Sequence, residues 1–99
     1  MSVVTGIMVF ASLAESPKNI LALDEWLLEN EFSELHPVDD FCCNGKHPQV
    51  HMRGGGYNYF KNKEFVLFFL GIKWDYPDTV LLVLHPEEGP IECYRPNWA

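Results

Sequence analysis

Residues 3–11 read VVTGIMVFA, and the way this run is paired decides the fold. It is β-branched and apolar almost throughout, and nearly continuous rather than cleanly alternating. Such a run suits a central strand covered on one or both faces. A second run of the same character, TVLLVLH, occupies residues 79–85. These are the two most apolar strand candidates in the chain. They are expected to lie side by side at the centre of one sheet.

Outward from the first run, residues 16–32 read SPKNILALDEWLLENEF. Ser16 suits an N-cap, and Pro17 fits the first helical position, where its missing N–H costs nothing. Ile20, Leu23, Leu27 and Glu31 fall on one helical stripe, with Leu21, Leu28 and Phe32 beside it. The pattern predicts an amphipathic helix of about four turns, with Asp24, Glu25 and Glu29 facing water and Trp26 at the edge of the apolar face. Residues 33–38, SELHPV, read as a short strand or extended link, placed at a sheet edge by Pro37. Asn44-Gly45 predicts a tight turn within DDFCCNGKHP, residues 39–48. QVHMR, residues 49–53, alternates as a half-buried strand, with Val50 and Met52 on one face and Gln49, His51 and Arg53 on the other.

Gly54, Gly55 and Gly56 are expected to end that strand in a bend. Asn62 can cap a second helix that Lys63 and Glu64 open and Gly71 closes. Phe65, Phe68, Phe69 and Ile72 recur at helical spacing, although Val66, Leu67 and Leu70 leave a buried strand as the competing reading. DYPD and PEEGP are turns, and IECYRP, residues 91–96, is a last strand at an edge. The order is β-α-β-β-α-β plus a terminal strand. It predicts one α+β domain over residues 1–99: a ferredoxin-like two-layer sandwich, with an antiparallel sheet and both helices on one face.

Composition narrows the function. The chain has 99 residues, of which 14 are acidic and 7 are Lys or Arg, for a net charge of −7. The bases are scattered and form no basic face, which disfavours nucleic acid and anionic lipid as partners. A basic protein partner fits the charge, as does plain solubility. Three cysteines cannot all pair internally, and adjacent Cys42 and Cys43 bridge only with strain. The expectation is a reduced, cytoplasmic protein. The N-terminal run lacks a positive leading segment, and no apolar run approaches the length of a membrane span.

The chemistry-bearing cluster is Asp39, Asp40, Cys42, Cys43, His47 and His51. All six types can ligate metal, but structural zinc sites want Cys or His pairs two to four residues apart. His47 and His51 on a strand lie about 13 Å apart, too far for one ion. Cys42 or Cys43 with His47, oriented by Asp39 or Asp40, would make a thiol nucleophile, though no local signature surrounds them. A free cysteine more often packs as a small hydrophobe. The three glycines match neither phosphate-binding pattern. No catalytic residue, metal or cofactor is expected.

Arg53, Tyr57, Asn58, Tyr59 and Phe60 form the candidate contact patch, because Tyr and Arg serve as interface anchors. Tyr94, Arg95 and Trp98 close the chain, with Trp98 more suited to packing on its own domain than to a partner. Two functions stand. The first is a non-catalytic interaction or regulatory domain, such as an immunity-type inhibitor, antitoxin or adaptor, with a homodimer also compatible. The second is a small-ligand or metal-binding module, or an enzyme, built on the Cys42–His51 loop.

Overall fold

The computed structural model describes residues 4–37 and 50–96. Along the chain come strand β1 (Val4–Ser12), helix α1 (Pro17–Glu29), strand β2 (His36–Pro37) and strand β3 (Val50–Asn58). Helix α2 (Asn62–Gly71), a 3-10 turn (Pro77–Thr79), strand β4 (Leu81–Pro86) and strand β5 (Glu92–Tyr94) follow. The fold is α+β. The strands form a five-stranded sheet in the order β2-β3-β1-β4-β5, and every neighbouring pair is antiparallel. The two apolar runs lie side by side as expected, with Ile7 opposite Leu84 and Val9 opposite Leu82.

Exposure alternates along β1. Thr5, Ile7, Val9 and Ala11 are buried, while Gly6, Met8, Phe10 and Ser12 are half-buried on the other face. Ile7, Val9 and Ala11 join Leu82 and Leu84 of β4, Ile20, Leu23 and Leu27 of α1, and Phe65, Val66 and Phe69 of α2 in one core cluster. Both helices therefore press on the same sheet face.

α1 starts where Pro17 predicts, but Ser16 makes no side-chain capping bond. Glu15 secures this end instead. Its carboxylate accepts hydrogen bonds from Asn19 Nδ2 at 2.7 Å, from the Asp75 N–H at 3.0 Å and from the Tyr76 N–H at 2.9 Å. Asn19 Nδ2 also reaches the Lys73 carbonyl at 3.2 Å. The start of α1 is thus tied to the chain that leaves α2. At the other end Glu31 takes the left-handed conformation, with φ of 67°. The Phe32 N–H returns to the Leu27 carbonyl at 2.8 Å and the Glu31 N–H to Leu28 at 3.2 Å, the paired bonds of a Schellman stop.

Three expectations are corrected. Asp24 does not face water: it is only 4% exposed. It lies between Ile20 and Leu27 on the buried stripe, and its charge is answered there. Oδ1 accepts the Leu35 N–H at 3.1 Å, and Oδ2 accepts Arg53 Nη1 at 3.0 Å. A buried carboxylate is tolerable only with such partners. The outer side of α1 carries Leu21 and Leu28 instead, 49% and 56% exposed.

The glycines do not end β3, which runs through them to Asn58. Gly54, Gly55 and Gly56 pair with Met8, Ile7 and Gly6. Gly55 has a steric reason to be glycine, since a Cβ there would sit 2.8 Å from the hydroxyl oxygen of Tyr57, two residues on and on the same face. Lastly, Lys61 rather than Asn62 occupies the cap position of α2, and no side chain caps it. The helical reading of this segment holds, because Phe65, Val66 and Phe69 are buried while Leu67 is exposed.

Two outcomes test this frame. Gly55→Ala forces the Tyr57 ring off its packing and should cost about 2 kcal/mol in urea unfolding. Burial pushes the Glu15 carboxyl up, but the bonds from Asn19 and from the Asp75, Tyr76 and Ser16 backbones outweigh it and hold the group below the usual carboxylate range. The folded pKa is below the unfolded one, so Glu15 contributes stability above the unfolded pKa of about 4.5. That stability is lost as pH falls through the folded value. Glu15→Gln should flatten the acid limb of a stability-against-pH curve.

Candidate functional site

The sheet has a second face, and no helix lies on it among the described residues. Cross-strand partners share a face, so the registers give its rows. His36, Gly54, Met8, Val83 and Cys93 form one row from β2 to β5. Gly56, Gly6 and His85 form the next, and Met52, Phe10 and Leu81 lie on the other side. None of these residues is acidic. Around Gly6, Gly54 and Met8 the face sinks into an open hollow of about 570 Å3, with His36 and His85 at its sides. The hollow follows from glycine, which leaves the sheet without side chains at these positions.

A smaller cleft of about 250 Å3 lies on the opposite, helix-bearing side of β5. Glu92 and Tyr94 sit opposite the buried Leu84 and Leu82, which places their side chains toward α2. Asn62, Lys63, Val66 and Leu67 of α2 form the other wall. The Tyr94 hydroxyl donates to Glu92 Oε1. That hydrogen bond, with the Glu92 charge, pushes the Tyr94 phenol up from its ordinary range. Asn62 Oδ1 is enclosed and meets no donor among the described residues. An acceptor left in that state costs about 1–3 kcal/mol.

The contact patch read from the sequence divides in two. Arg53 is half-buried and paired with Asp24. Tyr57 is 5% exposed, its hydroxyl donates to the Ser33 carbonyl at 2.8 Å, and its ring stacks on Phe60 at 5.2 Å between centroids. Phe60 in turn packs against Trp26, Phe32 and Phe65. Only Asn58 and Tyr59 of the patch face outward, Tyr59 being 68% exposed with φ of 53°. A left-handed tyrosine is uncommon.

Of the cysteine–histidine cluster, Asp39, Asp40, Cys42, Cys43 and His47 lie outside the described residues, as does Trp98. His51 lies on β3 and lines a narrow cleft of about 130 Å3 with Arg53, Pro17, Ile20 and Leu21. Among the described residues, no three His, Cys, Asp or Glu side chains converge as a metal site. No helix among them is long and apolar enough to cross a membrane. Arg95 donates to the Asp78 carbonyl at 3.0 Å.

Sequence reasoning missed both the second sheet face and the cleft. The face had a signal: the even positions Gly6, Met8 and Phe10 carry no charge, so whichever face of β1 they shared could not be polar. The cleft had none, because Asn62 and Glu92 are thirty residues apart and meet only through the fold. Comparison with protein-family models, with characterised proteins and with solved structures finds no match to this chain.

The Tyr57 phenol is pushed up to about 12 by burial and by the neighbouring Asp24 charge, against its hydrogen bond to Ser33. Its folded pKa exceeds the ordinary 10.0, so its stabilisation is complete below 10.0 and is lost as pH rises through about 12. In a spectrophotometric titration of the phenolates, Tyr57 should ionise only with alkaline unfolding. Tyr57→Phe should remove that late step.

Proposed function

We propose that this chain is a small, acidic, non-catalytic interaction domain that docks through the sheet face on which no helix lies among the described residues, and that the occupant is a second copy of the chain. Residues 1–99 would form one domain of ferredoxin-like topology. The order β2-β3-β1-β4 and the connections through α1 and α2 support that topology, with β5 added outside β4.

One observation carries the reading. The outward face of a one-sided antiparallel sheet is ordinarily polar. Here it holds Met8, Phe10, Met52, Leu81 and Val83 around the glycines. A contiguous apolar face of this kind marks a surface that binds something. Charge argues for a second copy. The chain carries −7, yet no acid lies in these rows, so two copies can meet without opposing carboxylates. The strands hold 9, 2, 9, 6 and 3 residues; at about 3.3 Å of rise and about 4.8 Å between strands they give roughly 460 Å2 per copy. That is the size of a weak, transient interface rather than of a standard one.

A basic protein, as an inhibitor or antitoxin would cover, is the other occupant to distinguish. The ligand-binding alternative on the Cys42–His51 loop gains no support from His51, whose described neighbours are Arg53 and apolar residues. A reducing, cytoplasmic setting rests on the odd cysteine count, and Cys93 is an exposed free thiol on β5.

Sedimentation equilibrium tests the proposal. The wild type should run at twice 11.4 kDa. Met8→Lys and Val83→Lys alter half-buried surface positions and should keep the circular dichroism of the fold while weakening dimerisation by about 100-fold. A wild type that stays monomeric at millimolar concentration, or variants that dimerise as tightly as the parent, would refute it.

A further inference from the structure

We infer that mild acid switches off self-association through the sheet face, because His36 and His85 become charged on a surface that holds nothing to answer them. The inference rests on the dimer proposed above and adds its regulation. A partner identical to the chain fixes the chemistry of the contact. In a closed pair of identical chains the same patch meets itself, so each copy offers the other only the groups of its own face. Those groups are the same whatever angle the two sheets make.

His36 on β2 and His85 on β4 line the hollow, and every other residue lining it is glycine or apolar. Gly54 stands opposite His36, and Gly6 opposite His85, so β3 and β1 present no charge to either ring. On β5 the titratable group of this face is the Cys93 thiol, opposite Val83, and a thiol carries no charge on the acid side of neutrality. His51 and Arg53 of β3 belong to the helix side, where Arg53 pairs with Asp24. Among the described residues, carboxylates approach the histidines along the chain only past the strand ends. Glu34 precedes His36 by two residues and Glu87 follows His85 by two, both exposed. The Glu87 N–H closes on the Val4 carbonyl at 2.8 Å, which holds that residue at the end of the sheet. Exposed ion pairs of this kind contribute little.

Histidine is the side chain that changes charge between about pH 5 and 8. A neutral imidazole carries one donor and one acceptor on a flat ring, and a partner can cover it. An imidazolium has two donors and a full charge, and removing it from water without a counter-charge is costly. In the single chain both histidines are exposed, where water solvates either form. Protons therefore bind the separated copies more readily than the pair. The sign follows: association is complete above the histidine range and is lost as pH falls through it. With an ordinary histidine titrating near 6.5, each ring held neutral in the pair weakens association about tenfold at about pH 5.5. On a weak, transient interface that factor decides whether the pair is populated. The overall charge pulls the other way, since acid reduces the −7 on each copy and with it their mutual repulsion. Salt screens that long-range repulsion within about 8 Å, and it does not screen a charge enclosed at the contact.

The test measures the dimer dissociation constant of the full chain by sedimentation equilibrium at about pH 7.5 and about pH 5.5, in about 0.15 M salt. The constant should rise at least tenfold on acidification, while circular dichroism shows the same fold at both pH values. The readout for variants is the ratio of the two constants. In the double variant His36→Gln with His85→Gln that ratio should fall to about one, since neither side chain gains a charge. His51→Gln, on the helix side of β3, should keep the full ratio. Wild type and double variant share any general effect of acid, so the difference between their ratios isolates the two histidines. A dimer that holds or tightens at the lower pH overturns this inference alone, as does a double variant that keeps the wild-type ratio. A chain that is monomeric at both pH values overturns the self-association reading, and this inference with it.

Discussion

β1 has to satisfy two edges and can bury only one face against the helices. Its backbone pairs on one side with β3 and on the other with β4 over most of its length. The rest of the described chain is arranged around that requirement. The odd positions from Ile7 to Ala11 share one core with α1 and α2, and the even positions are left for the opposite side. Since β1 is apolar on both phases, burying one necessarily leaves a second apolar surface uncovered by the helices. The helices close half of the problem that the strand's composition poses.

The helix layer is held in register by two carboxylates, each placed where it would be costly without partners. Glu15 gathers Asn19 and two backbone N–H groups from the chain beyond α2, fixing the amino end of α1. Asp24, two turns on, joins α1 to β3 through Arg53 and to the approach of β2 through Leu35. Hydrophobic burial is non-directional and would let α1 slide or rotate on the sheet. These directional bonds specify one seating. They also explain why Arg53, which looks like a contact residue in the sequence, is committed to its own domain.

The legible parts of this fold were those set by long periodic runs and by turn chemistry. Two apolar runs predicted their own adjacency, Pro17 marked the start of α1, and Pro37 put β2 at an edge. What escaped was set by partners distant in sequence. Asp24 reads as a solvated helix acid until Arg53, on another element, is placed beside it. Three glycines read as a bend because nothing local shows that Tyr57 will fold back over Gly55 and take up its space. The contact patch suffered in the same way: periodicity cannot show that Tyr57 and Phe60 turn into a cluster with Trp26 and Phe32 while Tyr59 turns out.

The same glycines bear on why the open face is shaped as it is. Side chains at positions 6, 54 and 56 would have raised the middle of the sheet and given it an ordinary pleated surface. Their absence leaves a hollow whose floor is backbone and Met8. A fold indifferent to that surface would gain from β-branched residues there, since glycine in a strand costs conformational entropy and offers no packing. Gly54 is constrained, because a Cβ would come within 3.1 Å of the Ile7 carbonyl oxygen and 3.2 Å of Met8 Sδ. Gly6 and Gly56 are not: a Cβ at either meets only ordinary contacts at 3.7 Å. Two strand positions thus carry glycine without a steric reason inside the described chain. Room for the second copy proposed to lie against the sheet would account for both.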